Sequence, residues 1–193
     1  MDKNGELGNL KQVAHESDDL LDMLDEVGRP KAVTAYKGTL SPEMLKRYLA
    51  IHNYLKEGYT LVKILNAFPV IRNNSGRRIG INIHSNPPGF SWIAFFFPFA
   101  VCTQIREWSY FYVIGIISVL GSIASSMAKV DLSSSVNLAV SLCYGIYFPY
   151  LRYIAVQREV KEIPRGKSII YGLLLAVLSG IPSLVLDSIL GVS

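Results

Sequence analysis

The sequence predicts an all-α membrane protein with a pair of amphipathic cytoplasmic helices at the N-terminus. One re-entrant or interfacial aromatic segment and three transmembrane helices follow. Three observations carry this prediction. Half of the 193 residues are apolar. Charge is unevenly spread, with 12 Lys/Arg and 10 Asp/Glu up to Pro88 but 7 and 5 from Gly89 onward. The second part consists of long uncharged runs between short charged clusters, the composition of a soluble region joined to a membrane-embedded one. The expected division is a cytoplasmic helical region over 1–71, a linker over 72–88 and a membrane domain over 89–193. The opening MDKNGELGNL lacks the apolar core of a secretory signal peptide, so the first apolar segments are expected to direct insertion themselves.

The first amphipathic helix is expected over 6–27, where Leu7, Leu10, Ala14, Leu21, Leu24 and Val27 share one face. Gly28 and Pro30 then stop it. The second begins at LSPEML, where Ser41 can cap, Pro42 suits the first turn and Glu43 faces the positive helix end. Its stripe runs through Leu45, Tyr48, Ile51 or His52, Leu55, Tyr59, Val62 and Leu65, weakened at Gly58 and ending before Pro69. RNNSGRRIGINIHSNPP (72–88) reads as a linker of turn-forming residues.

Residues 1–28 hold eight acids and two bases, whereas residues 29–88 hold ten bases and two acids. A basic amphipathic helix ahead of a membrane anchor is drawn to anionic lipid by about 1 kcal/mol per base. The acidic helix packing back against it is the competing arrangement. Bases spread this widely, without a recognition fold, exclude nucleic acid as the expected partner.

The aromatic segment GFSWIAFFFPFAVCTQIREW (89–108) has only 15 uncharged residues from Phe90 to Gln104, with Pro98 inside. Charge parity decides its path. If 89–104 dips in and returns, or lies along the interface, then Arg72, Arg77, Arg78, Arg106, Arg152, Arg158, Lys161, Arg165 and Lys167 share one side of the membrane. Only Lys129 faces them across it. Lys and Arg accumulate on the cytoplasmic side, which favours this path over a short full span and puts the N-terminus inside. Trp92 and Trp108, the only tryptophans, bracket the segment as interfacial anchors together with Arg106.

The three spans are expected over 109–128, 134–151 and 168–190. The first is uncharged and about 30 Å long as a helix, and lipid leaves such runs no alternative to helix. Small residues recur at helical spacing: Gly115, Ser118, Ser122 and Ser125 in the first span, and Asn137, Ser141 and Gly145 in the second. Gly172, Ala176 and Gly180 do so in the third. Such stripes let helix backbones approach closely, within one bundle or in a homo-oligomer. Two polar residues mark a candidate path: Asn137 near the outer end of its span, and Asp187, roughly 28 Å beyond Ser168 along the last helix. An interfacial position makes Asp187 a solvated end group, and Asn137 is expected to bond across helices. Arg106–Glu107 reads as an interfacial pair fixing segment depth.

Cys102 and Cys143 show no CxxC spacing and are expected as small buried core residues, not as metal ligands or a disulfide. His15, His52 and His84 are far apart, and no nucleotide-binding, metalloprotease or hydrolase motif occurs. The expected cofactors and catalytic residues are none. Phe90, Trp92, Ala94, Phe95, Phe96, Pro98, Arg106 and Trp108 compose an F-x-W-x-A-F-F…P…R-x-W pattern. It resembles a bacterial family of small multi-pass inner-membrane proteins defined by a domain of unknown function. Ser91 and Ile93 stand where that family more often has Asn and Ala, and its Gly before the Pro is missing. The resemblance covers roughly 89–155 and implies a bacterial inner membrane and the short-segment-then-spans layout, but no activity. A non-enzymatic membrane adaptor or accessory subunit, binding a protein partner through its cytoplasmic helices, is the expected function. A small oligomeric transporter or channel is the alternative.

Overall fold

The computed structural model of the chain describes residues 42–79 and 88–190. The helix expected over 6–27 and the linker residues 80–87 lie outside them. Helix accounts for 70% of the described residues, so the protein is mostly helical, as expected. It is not all-α, because a three-stranded antiparallel sheet stands where the second amphipathic helix was expected to continue.

Helix α1, Pro42–Lys56, starts at the expected proline and buries Leu45, Tyr48 and Ile51, the first part of the expected stripe. It ends thirteen residues short of Pro69, and Gly58 is the reason. Its φ is +92°, and a Cβ there would sit 2.3 Å from Asn74 Oδ1. Gly58 is therefore a required turn position rather than a weak helical one. Strand β1, Thr60–Ile64, and β2, Phe68–Arg72, then pair antiparallel, with Val62 opposite Val70. Leu65 and Asn66, both left-handed with φ near 52° and 53°, make the hairpin turn closed by Ala67 N–H to the Ile64 carbonyl. Pro69 is tolerated in the central strand because the short β3, Arg78–Ile79, pairs only with Ile71 and Arg72. The expected linker thus supplies a strand. Asn73 sets its turn, its Oδ1 accepting the N–H groups of Ser75 and Arg77.

The aromatic segment folds as two short helices, α2 (Trp92–Phe96) and α3 (Pro98–Gln104), broken at Phe97 with Pro98 in the first turn of the second. Ser91 caps α2, accepting from the Ala94 N–H at 3.4 Å. Both ends of the segment meet the sheet end of the molecule. The Phe90 carbonyl accepts from Arg47 of α1, and the Gln104 carbonyl accepts from the Ile163 N–H. Helix α4, Ser109–Ala128, matches the expected first span and ends on Lys129 with φ +54°. Helix α5, Ser133–Gln157, runs six residues past the expected limit, and α6 spans Arg165–Leu190.

Two of these helices, α4 and α6, are long and apolar enough to cross a membrane. Few of their residues are buried (22% and 6% of the respective apolar windows), so Ile, Leu and Val cover their outer surfaces. The second half of α5 is different. Tyr150, Tyr153 and Val156 are buried against Leu45, Tyr48 and Ile51 of α1 and Ile71 of β2. Tyr48 also donates to the Arg152 carbonyl at 3.0 Å. The same helix therefore joins the apolar bundle at one end and the α1–sheet layer at the other.

Candidate functional site

Two grooves lie at opposite ends of α5. The inner one, about 640 Å³, is bounded by the end of α1, by β1 and by the end of α5. Leu55, Leu61, Val62 and Ile154 form apolar walls, Lys56 and Arg158 supply positive charge, and His52 and Lys63 complete the lining. At its floor the Tyr153 hydroxyl lies 3.3 Å from His52 Nδ1 and accepts from Gln157 Nε2 at 3.1 Å. Burial pushes the Tyr153 hydroxyl above its ordinary pKa, with the Gln157 bond acting in the opposite direction. Lys63 is turned the other way, onto Glu107, in an ion pair whose side chains keep only 9% and 10% of their exposure. Ser109 donates to the second Glu107 oxygen. Beside it, Glu162 accepts from Arg152 at 2.9 Å and from Gln104 at 2.8 Å, fastening the α5–α6 connection onto the end of the aromatic segment.

The outer groove, about 670 Å³, opens between the far ends of α4, α5 and α6. Asn137 and Asp187, the two residues marked as a candidate path, both line it, as do Ser118 and Ser122 of the first small-residue stripe. Ser122 and Ser183 spend their hydroxyl protons on the Ser118 and Gly180 carbonyls of their own helices. Ser125 accepts the Leu132 N–H. At the rim, Asp131 accepts the Ser133 N–H at 2.9 Å, and hydrogen bonding to Ser133 lowers its pKa. Asp187 is half-buried here and not an end group in open solvent. Asn137 is exposed and makes no cross-helix hydrogen bond among the described residues.

The remaining expected residues separate into two classes. Gly145 and Gly172 are close-approach positions: an added Cβ would lie 2.4 Å from the Phe90 ring in one case and 2.6 Å from the Phe99 carbonyl oxygen in the other. Gly115 meets the Ser179 carbonyl at 3.2 Å, and Ala176 packs against the core of the bundle. Gly180, by contrast, has open space around it, and Ser141 is only partly buried. The expected stripe on α6 therefore packs through Gly172 and Ala176 alone. Trp92 is exposed and stacks at 6.2 Å with Phe96, and Trp108 lies 6.4 Å from Phe111. Arg106 is exposed, whereas Glu107 is buried on Lys63. The two do not pair with each other, because Glu107 finds its counter-charge in Lys63 of β1. Cys102 is buried as expected but Cys143 is exposed.

Comparison of the chain with family models, with curated proteins and with solved structures returns no match. The residues that sequence reasoning missed are Lys63, Ser183 and the Lys129–Asp131 rim. Lys63 falls within the stretch expected as helix up to Pro69. Its alternation with Val62 and Ile64 in a β-branched run was the available signal for a strand.

Proposed function

We propose that this is a multi-pass inner-membrane protein acting as a non-enzymatic adaptor or accessory subunit, which presents α1 and the sheet to a cytoplasmic protein partner. In this reading α4, α5 and α6 cross the bilayer, the aromatic segment enters and leaves on the cytoplasmic side, and anionic lipid lies beneath the basic face. The apolar surfaces of α4 and α6 support lipid contact. The F-x-W-x-A-F-F…P…R-x-W resemblance supports a bacterial inner membrane. The joining of both segment ends to Arg47 and Ile163 supports a returning path, because those residues adjoin the sheet end. It gathers the basic residues from Arg72 to Lys167 at that end and leaves Lys129 at the other, in accord with the excess of Lys and Arg inside.

The single observation that carries the adaptor reading is the seating of α1 and β2 on the end of α5. A partner held at the inner groove would pull on a membrane helix directly. Crosslinking in native membranes followed by mild-detergent copurification tests it. A reproducible protein partner lost on Lys56→Glu/Arg158→Glu supports it, and self-crosslinks alone count against it. The second reading, a small oligomeric transporter or channel, is favoured by the meeting of Asn137 and Asp187 in one polar groove. Labelling of cysteines placed at those positions by a charged thiol reagent would support it.

A further inference from the structure

Among the described residues, the outer groove gathers Ser, Asn, Asp and Lys side chains at the end of a bundle whose exposed surface is largely Leu, Ile, Val and aromatic. Its volume falls within the range of small-ligand sites. We propose that it binds a primary ammonium group carried next to an anion, as in phosphoethanolamine, with Asp187 as the counter-ion. This inference stands apart from the adaptor reading and needs no transport.

The chemistry follows from which hydrogen-bonding groups are already used. The hydroxyl protons of Ser122 and Ser183 are committed to helix carbonyls, so both present acceptor lone pairs to the groove. Asp187 adds a carboxylate with neither a hydrogen bond nor an ion pair among the described residues. Such a wall calls for a donor. The helix ends agree in sign. Both α4 and α6 finish at this rim, presenting their negative ends, while the positive start of α5 is covered by Asp131 on the Ser133 N–H. An ammonium supplies three donors and the missing charge.

Lys129 opposes a bare diamine. It lines the rim exposed, and the structure assigns it no partner among the described residues. A cation at the rim and a carboxylate on the wall together match a ligand with its anion and its ammonium a few atoms apart. Phosphoethanolamine chemistry meets both, whether as the headgroup of a phospholipid or as a free solute. A trimethylammonium group has the charge without the donors.

The test uses the full chain in detergent micelles supplemented with phosphatidylethanolamine or phosphatidylcholine and read by native mass spectrometry. In parallel, the melting temperature is measured with soluble O-phosphoethanolamine. A lipid source predicts about tenfold preferential retention of phosphatidylethanolamine, lost in the isosteric Asp187→Asn and weakened in Lys129→Gln. A tenfold preference corresponds to about 1.4 kcal/mol. A soluble source predicts an Asp187-dependent rise in melting temperature with O-phosphoethanolamine. Equal retention of both lipids with no thermal shift would overturn the inference, and so would a preference that survives Asp187→Asn in protein of unchanged circular dichroism. Lys129→Gln, on the exposed rim, tests the anion half without disturbing the wall.

Discussion

The carbonyl oxygen of Gly145 accepts the backbone N–H of Ser91 at 2.8 Å, and it is available because Pro149, four residues on, has no N–H to offer it. A proline inside a helix normally leaves such a carbonyl stranded. Here the start of the aromatic segment takes it, while the absent Cβ of Gly145 makes room for the Phe90 ring. Gly145, Pro149 and the Phe90–Ser91 pair form one joint between α2 and α5.

Glycine-to-alanine changes on these helices should therefore split by sign. Gly172→Ala places a Cβ 2.6 Å from the Phe99 backbone oxygen, which cannot rotate away. It should destabilise by about 1–3 kcal/mol, the usual cost of overpacking. Gly145→Ala meets the Phe90 ring and should also destabilise, with a change in the fluorescence of nearby Trp92. Gly180→Ala meets nothing and should stabilise by up to about 1 kcal/mol through helix propensity. Thermal unfolding in one detergent ranks the three.

The Lys63–Glu107 pair is buried on both sides. Glu107→Leu alone, or Lys63→Met alone, should cost about 3–5 kcal/mol by leaving one charge uncompensated, whereas the double change should recover most of that loss. A double-mutant cycle measures it. Additive single costs would show that the pair is not a coupled unit.

Leu65 is largely exposed yet left-handed, a conformation that costs a branched residue about 1–2 kcal/mol. Leu65→Asn should relieve part of that strain and raise the melting temperature. The Tyr112 hydroxyl donates to the backbone carbonyl of residue 65, so this bond should persist whatever the side chain there.

Alkaline pH should loosen the α1–α5 contact. Burial raises the Tyr153 pKa in the folded state, so the unfolded chain loses this proton first, near pH 10. Its contribution is fully present below that pH and declines as pH rises toward the folded value. Tyr153→Phe should flatten the decline above about pH 10 in a pH series of melting temperatures.

If the bundle lies in lipid, Cys143 should be exposed on the protein yet shielded by acyl chains, and Cys102 should be buried within it. In intact membranes an apolar maleimide should label Cys143 and a charged one should not. Labelling by both reagents would place this face of α5 in water.

Much of the helical layout was legible because the apolar runs of α4 and α6 have little choice of structure, and Pro98 marks its own break. The sheet was not. Leu55, Tyr59, Val62 and Leu65 fit a helical stripe by spacing alone, and the stop comes from the left-handed turn at Gly58, against which Asn74 packs from sixteen residues away in the chain. The Ser91–Gly145 joint was invisible for the same reason: Gly145 looked like a small residue in a stripe, and Ser91 like a replacement for Asn in the aromatic pattern. Asn137 and Asp187 were picked out as polar residues in apolar runs, but their shared groove required knowing which helix faces met.

Helix α5 is about 37 Å long at 1.5 Å per residue, with its first turns at the outer groove and its last under the sheet. The clasp at Gly145, roughly midway, acts as a fulcrum on that rod. A tilt of about 5° about it would move each tip by only about 1–2 Å, in opposite directions. Displacing one tip would therefore carry the other the opposite way, to the extent that the helix stays straight past Pro149.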